Sequence, residues 1–260
     1  ISPVYSTSLF IAVLMAAASL AGLLFPMVMY PTDELRRAFL SNDVVNLFIG
    51  LPILLGSMWL TRRGSLFGLL FWPGALFYTT YNYLAYAVAM PFTLPFLVNL
   101  ALVILSVYTI YNLLSSMDAT LLQAQLKGRV SERYIGATLA GFGALFFLMA
   151  VGKVASFFTG QAALPWAELS VQITDLLITP AWIVGGILLW KKHAFGYLTG
   201  LGLLFQASML FVGLLIFFIL QPVVAGVSFP IGDFVVIAVM SLFCLIQFGL
   251  FLRGIVSTGK

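Results

Sequence analysis

Few residues of this chain could do chemistry, and they lie far apart. Lys153, in LFFLMAVGKVASFF, and Asp175, in VQITDLLITP, are ionisable side chains set inside apolar runs. A lysine and a carboxylate at similar depth on consecutive helices predict an ion pair. Such a pair either locks the two helices together or acts as a gate or coupling pair that opens when a substrate or proton competes for Asp175. Asp43 opens another apolar run, where it reads first as a helix N-cap and second as a general acid or base. Amides and hydroxyls gather at comparable positions: Asn46, Asn82, Asn99, Gln172, Thr174 and Thr179, with Gln206 nearer the middle of its run. In YTTYNYLAY, Tyr78, Tyr81, Tyr83 and Tyr86 cover more than one helical face. Tyr83 and Tyr86 suit an aromatic belt at a membrane surface, whereas Tyr78 and Asn82 lie deeper and need hydrogen-bond partners. The site expected from these residues is a partly aromatic pocket lined by Pro52, Pro180, Tyr78, Asn82 and Gln206. Asp43, Asn46, Asn99 and Thr179 are further candidates.

Much chemistry is excluded by residue count. The single histidine, His193, stands beside Lys191 and Lys192, so haem held by paired histidines and histidine-rich di-iron sites are ruled out. The single cysteine, Cys244, allows no intramolecular disulfide and no thiolate cluster for zinc or iron–sulfur. No phosphate-binding loop of the Gly-x4-Gly-Lys-Ser/Thr type and no Gly-x-Ser-x-Gly elbow occurs. No metal site and no cofactor is therefore expected. Lys153, Asp175 and the aromatic residues are the parts of a retinal Schiff base, but retinal proteins carry that lysine on their last helix. Asp33-Glu34 resembles the acidic pair of membrane glycosyltransferases, whose first outer loop is long and folded where this one is short.

The elements that position these residues follow from composition. Of 260 residues, 62% are hydrophobic and 8% charged, with a mean hydropathy of +1.13. Soluble domains carry about 25% charged residues, and so few charges could not cover the outside of a water-soluble fold. The chain reads as an all-α integral membrane bundle, because backbone groups in lipid must be satisfied within the segment. Charges and prolines punctuate it into eight predicted spans of about 20 residues each, at 6–30, 43–61, 65–90, 93–114, 134–159, 171–190, 196–221 and 230–254. The first is too long for a signal-peptide core. TDELRRAFLSND is expected as a short amphipathic helix in the interface.

Arg62 and Arg63, then Lys127, Arg129 and Arg133, then Lys191 and Lys192, then Arg253 and Lys260 fall in alternate loops. The other loops hold Asp33, Glu34, Glu168 and Asp233, with Arg36 and Arg37 as their basic residues. The positive-inside rule then places both termini in the cytoplasm, of a prokaryotic plasma membrane given the compact loops. These bases are topology signals, not a nucleic-acid surface. The segment 115–133 is expected as a cytoplasmic surface helix and turn dividing the chain into halves, 1–114 and 134–260.

LPILLGSMWLTRRGSLFG and ITPAWIVGGILLWKKHAFG share their punctuation: Pro52 to Arg63 spans the same interval as Pro180 to Lys191, and Phe67-Gly68 matches Phe195-Gly196. Each proline falls on the second span of its half. This predicts a tandem repeat about an axis along the membrane normal, with interrupted helices beside a binding site. The leading functional expectation is a transporter or ligand-binding protein for a small apolar or weakly polar molecule. Its partners are membrane lipids and that ligand, with a second copy or a larger complex as protein partner. The alternatives are a non-catalytic accessory or scaffold subunit and, third, a lipid-modifying enzyme using Asp43 or Asp175.

Overall fold

A computed structural model describes residues 2–161, 163–224 and 226–256, all helical or in connecting turns. The helices are α1 (Ser2–Leu24), α2 (Pro26–Met29), α3 (Asp33–Val45), a π-helical turn (Asn46–Gly50), α4 (Leu51–Arg62), α5 (Leu66–Ala89), α6 (Leu94–Ser115), α7 (Ala119–Leu126), α8 (Glu132–Phe158), α9 (Trp166–Trp190), α10 (Ala194–Val224) and α11 (Ile231–Val256). Seven helical segments are long and apolar enough to cross a membrane: α1, the continuous stretch Asp33–Arg62, α6, α8, α9, α10 and α11. The chain is thus a multi-pass helical membrane protein.

The remaining predicted span, 65–90, is α5, which has 24 residues but falls outside this set, as its polar residues explain. Sixteen of its residues are buried, among them Tyr78, Thr79, Thr80, Asn82, Tyr83 and Tyr86. It packs against α4, α6, α9 and α10 at the centre of the bundle. A helix surrounded by protein can carry polar groups that lipid would not tolerate. By contrast, only 17% of the most apolar window of α11 is buried.

Two predicted boundaries are corrected. The first span stops at Leu24, because Pro26 lacks the N–H that would continue the ladder and instead starts the short α2. TDELRRAFLSND is not a separate surface helix: Thr32 caps it by accepting from Leu35 N–H, and it runs without a break through the π-turn into α4. Leu35, Phe39 and Val45 give it a buried face. At the π-turn, Leu51 N–H bonds the Asn46 carbonyl five residues back. The ladder is thereby shifted by one residue just ahead of Pro52, which cannot donate at all.

The two proline-led segments end in closely similar turns. Arg63, Gly64 and Ser65 donate their N–H groups to Trp59, Thr61 and Leu60, and Lys191, Lys192 and His193 donate to Ile187, Leu189 and Leu188 at the same interval along the chain. The left-handed residue is Gly64 (φ 75) in one turn and Lys192 (φ 57) in the other. Gly68 and Gly196 each lie against the backbone of the preceding helix, at Leu60–Thr61 and Leu188–Leu189. Gly74 and Gly202, again separated by that interval, touch each other where α5 crosses α10. Beside this crossing, Phe71 stacks on Phe205 at 4.6 Å.

Candidate functional site

The most strongly built polar site surrounds Asp43, which is 1% exposed. It sits inside α3 and not at its start, so the expected N-cap role is corrected: Thr32 takes it, and the Asp43 side chain turns into the bundle. Tyr30 donates its hydroxyl to Asp43 Oδ2 at 2.5 Å, and Tyr86 donates to Oδ1 at 3.0 Å. Tyr86 also lies 3.2 Å from the Phe39 carbonyl. Behind them, the Tyr83 hydroxyl is 3.2 Å from the Met15 carbonyl and 3.3 Å from Ser19 Oγ. Phe39 packs on the Tyr86 ring at 4.3 Å. Gly22 of α1 makes room for this arrangement, since a Cβ there would collide with Asp43 Oδ2 and lie 2.7 Å from the Tyr30 hydroxyl.

A narrow crevice leads to this carboxylate from the end where α1 passes into α2 and α5 into α6. It is lined by Ala18, Met29, Tyr30, Asp43, Tyr83, Tyr86, Met90, Pro95 and Asn99, and holds no room for a water molecule. Tyr83 (1% exposed) and Tyr86 (2%) therefore form an internal hydroxyl cluster, which corrects their expected place in a surface belt.

A second polar layer lies deeper. Asn42 donates to Asn82 Oδ1 at 3.2 Å, while Asn82 Nδ2 bonds the Tyr78 carbonyl. Asn46, one turn further along α3 into the π-turn, is fully buried, and neither its Nδ2 nor its Oδ1 has a protein partner. Tyr78 is held between Gly50 and Gly213. Gln206 accepts from Trp182 Nε1 at 2.5 Å and leaves its own Nε2 unpartnered. Thr179 is satisfied locally by the Asp175 carbonyl at 2.7 Å. Pro180 is half-buried, whereas Pro52 is exposed, so the expectation that both prolines line an interior pocket does not hold for Pro52.

The predicted Lys153–Asp175 pair is not formed. Lys153 Nζ binds Glu168 Oε1 at 2.7 Å, and Asp175 accepts from Tyr81 at 2.8 Å. Glu168 lies in the first turn of α9, two turns nearer the helix start than Asp175. The long lysine stem reaches towards the half-exposed carboxylate, where its ammonium keeps water. Glu34 accepts from the backbone N–H of Ala167 at 2.7 Å, capping α9 from α3. Asp33, the other acidic residue of that loop, pairs with Arg36.

Near the far ends of these helices, Glu132 Oε1 accepts from Gly128 N–H at 2.9 Å and from Tyr197 at 2.8 Å. Asp118 caps α7, and the Thr120 hydroxyl, followed by the N–H groups of Leu121 and Thr120, holds its carboxyl below the usual carboxylate range.

Sequence reasoning missed Tyr30, Ser19 and Gly22 as partners of Asp43. Hydropathy carries no signal for contacts between helices. A glycine in the apolar α1 and a tyrosine just after a proline are weak marks on their own. No protein-family model, curated protein or solved structure matches the chain.

Proposed function

We propose that this protein is a membrane transporter or ligand-binding protein for a small, weakly polar molecule. In this reading α5 is an eighth span and two four-helix halves share one orientation about an axis along the membrane normal. Both termini are cytoplasmic, in a prokaryotic plasma membrane. The matched turns at Arg63–Ser65 and Lys191–His193 and the contact of Gly74 with Gly202 support the repeat, since equivalent residues meet only on a symmetry axis. The alternating basic loops support the orientation.

The observation that carries the functional reading is the unfilled hydrogen-bonding capacity of Asn46 and Gln206, buried in the π-helical turn and on α10. A buried polar group left without a partner costs about 1–3 kcal/mol. A ligand with a donor for Asn46 Oδ1 and acceptors for Asn46 Nδ2 and Gln206 Nε2 would remove that cost. The Asp43 cage, an intramembrane carboxylate without a paired cation among the described residues, adds a second functional group.

A second reading, an accessory subunit of a larger complex, is favoured by the tightness of the crevice. The lipid-modifying reading has less support, because the groups around Asp43 are hydroxyls and not a second acid or base.

The test is thermal stability of the purified protein against lipids, isoprenoids, quinones and small solutes, comparing wild type with Asn46→Leu. A ligand that binds only the folded state at 100 times its Kd stabilises by about 2.7 kcal/mol. We expect a compound that raises the Tm of wild type and not of the variant. No shift with any compound, alongside a variant at least as stable as wild type, would favour the accessory-subunit reading.

A further inference from the structure

We propose that Asp43, held between Tyr30 and Tyr86 below the closed crevice at the Met29, Met90 and Pro95 end of the bundle, is a proton-binding carboxyl that exchanges its proton when that crevice opens. Its role as the coupling site rests on the transport reading above; the proton site itself does not.

The argument is the hydrogen-bond geometry. Tyr86 has one hydroxyl hydrogen but two acceptors within reach, Asp43 Oδ1 at 3.0 Å and the Phe39 carbonyl at 3.2 Å. While Asp43 is charged, Tyr30 and Tyr86 both donate to it. When the crevice opens to solvent and a hydronium ion gives its proton to Oδ1, leaving water, Tyr86 turns its hydrogen to Phe39 and its oxygen accepts from the new carboxyl O–H. One O–H bond forms on Asp43, one breaks in the donor, and each protonation state stays hydrogen-bonded. The Phe39 carbonyl thus gives Tyr86 an acceptor for the protonated state.

Among the described residues, no fixed charge is paired with Asp43. The groups facing it are Ser19 on α1, Tyr30 after α2, and Tyr83 and Tyr86 on α5, with Asn99 of α6 lining the crevice. Arg36, two turns earlier on the same helix, directs its guanidinium to the Tyr30 carbonyl and to Asp33. Glu34 is engaged by Ala167 N–H, and Lys153 by Glu168. A buried charge without a paired cation is costly, and the crevice has no room for a hydrated metal ion, so protonation is the neutralising step left to Asp43.

The test is infrared spectroscopy of the purified protein across pH, following the carboxylic-acid C=O stretching band in wild type, Asp43→Asn, Asp175→Asn and Tyr86→Phe. We expect a band that grows as pH falls, is absent from Asp43→Asn and persists in Asp175→Asn. Tyr86→Phe should move its midpoint, because the variant removes the partner that serves both protonation states. The proposal is overturned if no band depends on Asp43, or if the band does not change with pH. Should Asp43→Asn fail to fold, an unmoved midpoint in Tyr86→Phe overturns it equally. A titrating band in a protein whose Tm no compound shifts would sink the transport reading alone.

Discussion

At the scale of single residues, the site depends on what is missing as much as on what is present. Gly22 has no side chain, and the space it leaves is occupied by Asp43 Oδ2 and the Tyr30 hydroxyl. Gly22→Ala therefore does more than fill a gap, since it must push the carboxylate off its donors or push α1 away from α3. Overpacking of a tight contact costs about 1–3 kcal/mol, although alanine gains a little in helix propensity over glycine. The expected outcome is a lowered Tm for Gly22→Ala, measured beside Gly56→Ala, where nothing lies near the added Cβ. Equal or higher Tm for both variants would mean that the cage yields without cost. Lys153 and Glu168 stand differently: both are about 40% exposed, and a pair so open to water contributes only about 0–1 kcal/mol.

At the scale of elements, the crossing of α5 and α10 tests how closely the halves depend on bare backbone. A Cβ at Gly74 would land on the Gly202 carbonyl, whereas one at Gly202 would meet its nearest neighbour, Gly74 N, at 3.2 Å. Gly74→Ala should thus lower the Tm clearly more than Gly202→Ala, which needs the neighbour to yield by only a few tenths of an ångström. The same Tm for the two would show that the helices separate freely. Seven of the eight spans read from apolar runs correspond to helices long and apolar enough to cross a membrane, because apolarity and length are local properties. The repeated Pro–Arg/Lys–Gly punctuation was legible too, and it marks turns with matching hydrogen bonds. What the sequence could not supply is which neighbour each polar side chain meets. Tyr83 and Tyr86 look the same whether they face lipid headgroups or Asp43. Lys153 has two acids within two turns of each other on α9, and stem length and water decide between them. Asn46 and Gln206 were legible as polar residues in apolar runs, while their lack of partners appears only in three dimensions.

At the scale of the whole molecule, the segment between α6 and α8 is not a neutral tether. Leu122 (5% exposed), Leu126 (0%) and Val130 (5%) enter the same core as Leu198, Leu201 and Phe251, so α7 is seated against α10. Gln123 bonds the Lys192 carbonyl at 2.7 Å, tying α7 to the turn that follows α9. Gly254 of α11 leaves room for the Arg129 backbone to lie against it. A polar surface linker would tolerate substitution, whereas a seated one would not. Leu126→Ala should cost about 2–5 kcal/mol, as for other fully buried leucines. Leu121→Ala, five residues earlier and 56% exposed, should stay within about 0.5 kcal/mol of wild type. Denaturant or thermal unfolding in one detergent would compare them, and indifference at both positions would return the segment to the role of a loose connector. If Leu126→Ala instead unfolds α8–α11 before α1–α6, by tryptophan signals that separate Trp166, Trp182 and Trp190 from Trp59 and Trp72, then the segment stabilises the helices into which it folds.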